Sequence, residues 1–375
     1  MASRACDGRA LMGPGALRLR SSRMPVAAST MRAWRTHEYG QPLEVLRLDT
    51  VPIPEPGPGE VLVRAQAIPL NLNDLERITG GNMMVRPELP YSPGMEVMGS
   101  VDACGPGAEE WQDTRVVAMP KQAFGGYAEY AICPTISVFS MPETIPLPDA
   151  AALYFPFHLA WLGLFDRAEL KAGESVLIHA AAGGAGSAAI QLAVNAGARV
   201  FATAGTDEKV ALCRDLGADV AINYSDNDFA EVVLAETQNR GVDVVFDNVG
   251  EAVMEASMKC TAYNGRYLMM GFASDKTRAD EPFIVPRRVA AGNFKLCGVL
   301  LAYAAPDMAA LVKQAMGFNF LPRELGEHIT ESVIHLVLEQ KVRPVIGSVV
   351  EFEQIPAAID AMAHRRTTGR TIVMV

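Results

Sequence analysis

Residues Glu174 to Arg199 read ESVLIHAAAGGAGSAAIQLAVNAGAR. Val176-Leu177-Ile178 is a short apolar run of the kind that forms a buried parallel strand. Gly183-Gly184-Ala185-Gly186 follows as a glycine-rich turn. Ala188 to Ala196 then reads as a helix, with Ile190, Leu192, Ala193 and Val194 as its apolar surface. Gly197 stands where a helix C-terminus favours glycine, and a second strand is expected over Arg199 to Ala204. Strand, turn, helix and strand make the first half of a dinucleotide-binding βαβ unit. The pattern G-x-G-x-x-G falls on Ala181, Gly183 and Gly186, with alanine in the first slot. The turn Ala182-Gly183-Gly184-Ala185 would bring its backbone close to a diphosphate, because glycine puts no Cβ in the way. The helix N-terminus adds free N–H groups and a partial positive charge. A bare glycine pattern also fits a packing turn, and it is the strand–turn–helix–strand context that favours the nucleotide site.

The next strand bears on which dinucleotide is held. Units that bind NAD carry an acid about 20 residues after the glycines, for the ribose 2′-OH. Here the strand VFATA ends at Ala204-Gly205-Thr206, with no acid at its tip. Asp207 and Glu208 come just after, in what would be the first turn of a helix capped by Thr206. Lys209 lies close behind, and Tyr224 ends the apolar run Val220-Ala221-Ile222-Asn223-Tyr224. A lysine and a phenol beside an acid-free ribose pocket suit a 2′-phosphate, hence NADPH. Taken alone, the same residues also fit a solvated helix lysine and a strand-end aromatic.

Composition sets the bounds. With 375 residues, half of them apolar, the chain can build two domains with substantial cores. A net charge of −10 disfavours a nucleic-acid surface. Cys6, Cys104, Cys133, Cys213, Cys260 and Cys297 are scattered with no CxxC pair, which reads as reduced thiols of an intracellular protein and not as a disulfide frame or structural zinc site. The longest apolar run, Ala150 to Phe165, contains Pro156 and His158 and is too short for a membrane span.

Residues 1–30 carry Arg4, Arg9, Arg18, Arg20 and Arg23 against the single acid Asp7. A transit peptide, a disordered leader, or an upstream start before Met24 or Met31 each explains that composition. The expected location is the cytoplasm, or a mitochondrial or plastid matrix if the leader is a transit peptide. Over 31–155, the Pro/Gly cluster PIPEPGPGE precedes the strand Val61 to Ala65, and short strands recur through MEVMGSVDA, TRVVAM and GGYAEYAIC. Such spacing indicates a mainly antiparallel, barrel-like domain. Over 156–301 strands and helices alternate: helix Asp228 to Asn239, strand Val242 to Asp247, helix Glu251 to Ala262, strand Arg266 to Gly271, and a strand over Leu296 to Leu301. That alternation implies an α/β domain with a doubly wound parallel sheet, its ligand at the strand C-terminal ends. Asn248, Gly271 and Phe272 should then face the cofactor. Residues 302–375, with helices Arg323 to Gln340 and Gln354 to His364, should return to pack on the first domain.

The blocks VPIPEPGPGEVLVR, LNLNDL, RPELPYSPGMEVMG, FGGYAEYA, HAAAGGAG, ATAGTDEK, INY, DNVG, GFAS and TTGR keep one order from Met31 to the C-terminus. In them the chain resembles the zinc-independent quinone oxidoreductases, the zeta-crystallin-like branch of the medium-chain dehydrogenase/reductase superfamily. The resemblance implies a GroES-like β-barrel plus a Rossmann domain, NADPH in the cleft between them, and a homodimer. It implies that Gly205, Lys209 and Tyr224 hold the 2′-phosphate and that Asn71, of the N-x-x-D block, lies beside the nicotinamide. The implied reaction is hydride transfer from NADPH to a quinone or another α,β-unsaturated carbonyl.

Metal can be judged from the residues. Zinc members of the superfamily place a His–Glu pair in a G-H-E segment, which here reads Gly94-Met95-Glu96. A thioether is a poor zinc ligand, and Glu96 alone reads as a structural acid. Without a Lewis acid, acceptors that delocalise the incoming charge are the easier substrates, and the cleft would mainly position the two rings and exclude water. Three departures bear on the proton donor. Asn82 stands where relatives often have tyrosine. Tyr91 offers a phenol where relatives carry phenylalanine, and core packing is its alternative role. The run Phe155 to Trp161 replaces a threonine-containing segment; within it His158 is a candidate proton donor or a hydrogen-bonded structural histidine. The competing functions are an enoyl-thioester reductase, and a non-catalytic NADPH-binding structural or RNA-binding protein.

Overall fold

The computed structural model describes residues 30–81, 86–271 and 286–375. Most of the Arg-rich leader, Asn82 and Phe272 lie outside the described residues. The first part of the chain builds antiparallel strands. β1 (Thr30–Thr36) and β2 (Leu46–Pro52) form a ribbon. β3 (Glu60–Pro69) pairs with both β4 (Val97–Cys104) and β6 (Tyr130–Pro134); β5 (Arg115–Ala118) links β4 to β7 (Val138–Ser140). Val61, Val63, Val97, Val101 and Val116 are fully or nearly fully buried in the core these strands enclose, where β-branched side chains fit a pleated surface. Helix Leu72–Thr79 leaves the end of β3 and stops at Gly80, whose φ of 80° is left-handed.

Six parallel strands follow: β8 (Ser175–Ile178), β9 (Arg199–Ala204), β10 (Val220–Asn223), β11 (Val242–Asp247), β12 (Thr261–Met269) and β13 (Lys295–Gly298). Their order in the sheet is β10-β9-β8-β11-β12-β13. The chain therefore winds outward from β8 to β10, then jumps back across to β11. That reversal is the dinucleotide-binding topology, with its ligand crevice at the C-terminal ends of β8 and β11. Every residue of β8 and β11 is buried, as expected of central parallel strands covered on both faces.

Several boundaries differ from the sequence reading: the strand expected over Leu296 to Leu301 is Lys295–Gly298, and the helix expected over Asp228 to Asn239 is Phe229–Glu236, with Asp228 as its cap. The helix after β8 begins at Gly184, so Gly184 and Gly186 fall in its first turn and Gly183 is its N-cap. Helix Glu251–Lys259 stops short of Ala262, and β12 starts at Thr261. Thr261 pairs with Val242, and the Val242 N–H bonds the Cys260 carbonyl; pairing with a central strand overrides the local helical pattern. Helix Pro306–Met316 was not anticipated.

The C-terminal strands β14 (Ile346–Glu351) and β15 (Arg370–Met374) run parallel to each other, and β15 pairs antiparallel with β3. One apolar cluster joins Met98, Val117 and Phe139 of the antiparallel part to Val176, Ile178 and Val244 of the parallel sheet. Helices Tyr154–Trp161 and Arg323–Leu338 contribute to it and fasten the two parts together. Among the described residues, no helix is long and apolar enough to cross a membrane.

Candidate active site

The glycine turn meets the C-terminal segment of the chain. The Gly369 N–H donates to the Ala182 carbonyl at 2.7 Å, and Gly183 and Gly369 form a parallel bridge. Gly369 itself has φ 58°, and a Cβ there would lie 2.3 Å from the Val345 carbonyl oxygen. The glycines of the turn have separate tasks. A Cβ on Gly186 would lie 2.3 Å from the Ala180 carbonyl oxygen, so Gly186 lets the helix pack on β8. A Cβ on Gly184 would lie 2.7 Å from Cδ of Arg370, so Gly184 makes room for that side chain. Gly183 is the N-cap, with extended backbone, and its Cβ would meet only the Ala180 oxygen at 3.2 Å. Gly183 is thus the turn position least needed for packing, consistent with a role in ligand approach. Ala182 is buried and Ala185 half-buried beside it.

At the tip of β9, Gly205 and Tyr224 come together, and Lys209 stands in the first turn of the helix that follows. A Cβ on Gly205 would lie 2.6 Å from the Tyr224 hydroxyl, so the phenol lies against the glycine backbone. Thr206 caps helix Asp207–Asp215, its hydroxyl accepting from the Lys209 N–H at 3.3 Å. Lys209 Nζ donates to the Arg365 carbonyl at 3.2 Å, which places the Arg365–Arg366 segment at the same rim. Asn248 and Gly271 also converge, at the ends of β11 and β12. A Cβ on Gly271 would lie 2.1 Å from the Asn248 carbonyl oxygen, and the Gly271 N–H donates to the Asp247 carbonyl at 3.2 Å.

Asn71 sits at the N-terminus of helix Leu72–Thr79, buried with Glu96 and Arg370. Its Nδ2 donates to Glu96 Oε2 at 3.0 Å, and its Oδ1 accepts from the Arg370 guanidinium at 2.8 Å. Arg370 also ion-pairs with Glu96, whose other oxygen accepts the Phe155 N–H at 3.1 Å. Beneath this trio, the buried Asp74 accepts from the Asn71 N–H, the Met95 N–H and the Tyr127 hydroxyl at 3.0–3.1 Å. One carboxylate therefore ties together the LNLNDL, PGMEVMG and FGGYAEYA blocks. Burial pushes its pKa up to about 6. Arg370 and Gly369 are the residues the sequence reading missed; their only signal was the TTGR block, and nothing local ties that block to the glycine turn.

The two proton-donor candidates are both engaged with protein groups. Tyr91 is buried, its hydroxyl donating to the Arg77 carbonyl and its ring edge-on to Phe124 at 5.3 Å. His158 is buried between Tyr303, 2.8 Å from Nδ1, and Thr330, 3.0 Å from Nε2. The Thr330 hydroxyl gives its proton to the Gly326 carbonyl at 2.8 Å. It must therefore accept from His158 Nε2–H, leaving Nδ1 to accept from Tyr303. Burial pushes the His158 pKa down to about 3. Neither Tyr91 nor His158 has a proton left to offer a ligand in this arrangement, and the geometry favours a packing role for both.

Among the described residues, no group of three or more His, Cys, Asp or Glu side chains converges as a metal site would. At the G-x-E segment the donors are a thioether from Met95 and a carboxylate already bound to Arg370 and Asn71. That set does not fit zinc.

An antiparallel barrel joined to a parallel sheet of dinucleotide order, with the glycine turn facing the seam, defines a medium-chain dehydrogenase/reductase. Residues 57–143 match the alcohol dehydrogenase GroES-like domain and residues 184–317 the zinc-binding dehydrogenase domain. The quinone oxidoreductase of rat is 33% identical over 250 residues, covering 66% of this chain and 75% of the relative. Its human counterpart is 28% identical over 358 residues, covering 94% of this chain and all of the relative. A solved mycobacterial structure complexed with NADPH has a TM-score of 0.78 at 28% identity, covering 92% of this chain and all of that one. The chain belongs to the zeta-crystallin-like quinone oxidoreductase family within that superfamily.

Proposed function

We propose that the chain is an NADPH-dependent reductase of quinones and other α,β-unsaturated carbonyls, acting without zinc and as a homodimer. The observation that carries this reading is the cradle at the tip of β9. Gly205 and Tyr224 adjoin there, with Lys209 in the first turn of the helix that follows and no acid on the strand end. The amides around Gly183 at the start of helix Gly184–Asn195 would take the diphosphate. Lys209 and the Tyr224 hydroxyl would bind the 2′-phosphate, and Asn248 and Gly271 would line the path toward the nicotinamide. When bound, NADPH supplies the hydride. The chain's own part is to hold the rings in register and exclude water. Asn71, fixed by Glu96 and Arg370, supplies a rigid polar wall. Because the Met95–Glu96 segment offers no fit for a Lewis acid, acceptors that spread the incoming charge themselves are the substrates best served.

Steady-state NADPH oxidation with phenanthrenequinone, set against crotonyl-CoA, tests this directly. Turnover of the quinone supports the proposal. Preference for the thioester would point to an enoyl-thioester reductase, and tight NADPH binding with no turnover to a non-catalytic binder. Treatment with a chelator is expected to leave the rate unchanged; a loss that zinc restores would overturn the metal-free reading.

A further inference from the structure

Three acids lie next to the cradle residues in the chain. Asp207 and Glu208 open the helix that Thr206 caps, and Asp226 lies just past Tyr224. Any of them turned toward Gly205 would repel a phosphate and offer a ribose hydroxyl an acceptor instead. The structure holds them elsewhere. Glu208 is bound back to the Thr206 hydroxyl and to the amide at its helix start, which lowers its pKa. Asp207 and Asp226 share one partner. The two protons of the Asn223 carboxamide go one to each, Nδ2 lying 2.9 Å from Asp207 Oδ1 and 2.8 Å from Asp226 Oδ2. The Asn223 oxygen accepts the Ser225 N–H at 3.1 Å, which fixes which end of the amide faces the acids. Ser225 Oγ in turn donates to the Gly205 carbonyl at 3.0 Å. The amide is thereby anchored to the same glycine against which the Tyr224 phenol rests.

We propose that Asn223 is a specificity-determining residue, acting through Asp207: it restrains that carboxylate away from the 2′-phosphate cradle and so keeps the site selective for NADPH over NADH. The inference rests on the NADPH reading above and deepens it. Only an amide meets the requirement at this position. A carboxylate has no proton to give either acid and would add a third charge. An alanine would leave Asp207 free to rotate from the first helical residue toward Gly205, two residues earlier in the chain. Removing the restraint therefore changes electrostatics at the cradle without touching Lys209 or Tyr224, the groups that bind the phosphate.

Fluorescence titration with NADPH and with NADH tests this on the full chain, for the natural protein and for Asn223→Ala, Asn223→Asp, Asp207→Ala and the double variant Asn223→Ala/Asp207→Ala. Both Asn223 variants are expected to lower the NADPH-to-NADH affinity ratio, Asn223→Ala by on the order of tenfold for one carboxylate facing a phosphate near the surface. Asn223→Asp, which keeps the acceptor for Ser225, is expected to lower it further. Asp207→Ala alone should leave the ratio at or above its natural value, and the double variant should recover it. NADH affinity that holds or rises across the series shows that the loop has kept its shape. An unchanged ratio in Asn223→Ala, or no recovery in the double variant, overturns the role of Asn223 while leaving the cofactor assignment standing. A natural protein that does not prefer NADPH overturns the cofactor reading, and this inference with it.

Discussion

At the scale of single residues, Lys209 and His158 show how a side chain's partners settle its role. Lys209 Nζ donates to an uncharged partner, the Arg365 carbonyl, so its charge is open to an anion. Lys209→Ala is expected to weaken NADPH binding by roughly 1.5–3 kcal/mol, the range for a charge-assisted hydrogen bond. NADH binding should change little, and equal losses for both cofactors would refute the phosphate role. His158 is the opposite case, with both nitrogens committed. It stays neutral in the fold down to about pH 3, as does the buried His179. In the unfolded chain both protonate near their ordinary value of 6.5. Between those values the unfolded chain binds more protons, so this stability is complete above pH 6.5 and drains away on acidification. The loss reaches at most about 1.4 kcal/mol per pH unit for each imidazole. Asp74 has the other sign. Its folded pKa of about 6 exceeds its ordinary 3.8, so its contribution is present below 3.8 and lost as pH rises through 6. The two histidines together outweigh it between pH 5 and pH 7. Urea midpoints should therefore fall from pH 7 to pH 5. His158→Gln, which keeps a donor for Thr330, should reduce that fall; an unaltered slope would show that His158 is not the neutral group described.

At the scale of elements, the βαβ unit was legible because all it needs lies within one contiguous stretch. A three-residue apolar run, a glycine turn and an alanine-rich helix are read by short-range rules, and β8 and β9 stand where those rules put them. The division of labour among the glycines was not legible. Only the structure shows Gly186 against the Ala180 and Ala181 backbone and Gly184 against Arg370. This separates two substitutions that look alike in sequence. Gly186→Ala must move backbone, and is expected to cost about 1–3 kcal/mol of stability, as overpacking does. Gly183→Ala meets a single oxygen at 3.2 Å and is expected to cost less in folding but more in NADPH affinity. Thermal melts paired with titrations of both variants check the distinction, and the reverse ordering would mean the roles are exchanged. The trio Asn71, Glu96 and Arg370 was equally hidden. Its members come from three distant segments, and no local pattern announces that they will share hydrogen bonds. In the sequence Asn71 stands in the N-x-x-D block, Glu96 in the G-x-E segment and Arg370 in the TTGR block, and nothing within those blocks says that they meet.

At the scale of the whole molecule, the far edge of the parallel sheet bears on assembly. β13 ends the parallel sheet, and among the described residues its outer side has no strand partner. Beyond it Leu300 is 40% exposed, and the next helix, Pro306–Met316, buries none of its residues. Met308 and Leu311 on that helix are 53% and 59% exposed. An open strand edge invites pairing, and apolar side chains gathered on one stretch of surface mark an interaction site more often than chance placement does. A twofold dimer uses one such surface twice, since the same patch meets its own copy. These features support the homodimer proposed above, formed through the parallel-sheet domain and leaving the cofactor cleft open. Sedimentation at micromolar concentration is expected to give a dimer for the natural chain. Met308→Glu/Leu311→Glu should yield a monomer that still binds NADPH, because both residues lie exposed on helix Pro306–Met316 and belong neither to the glycine turn nor to the β9 cradle. A natural chain that sediments as a monomer would overturn the dimer. A charged double variant that remains dimeric would move the interface to another face.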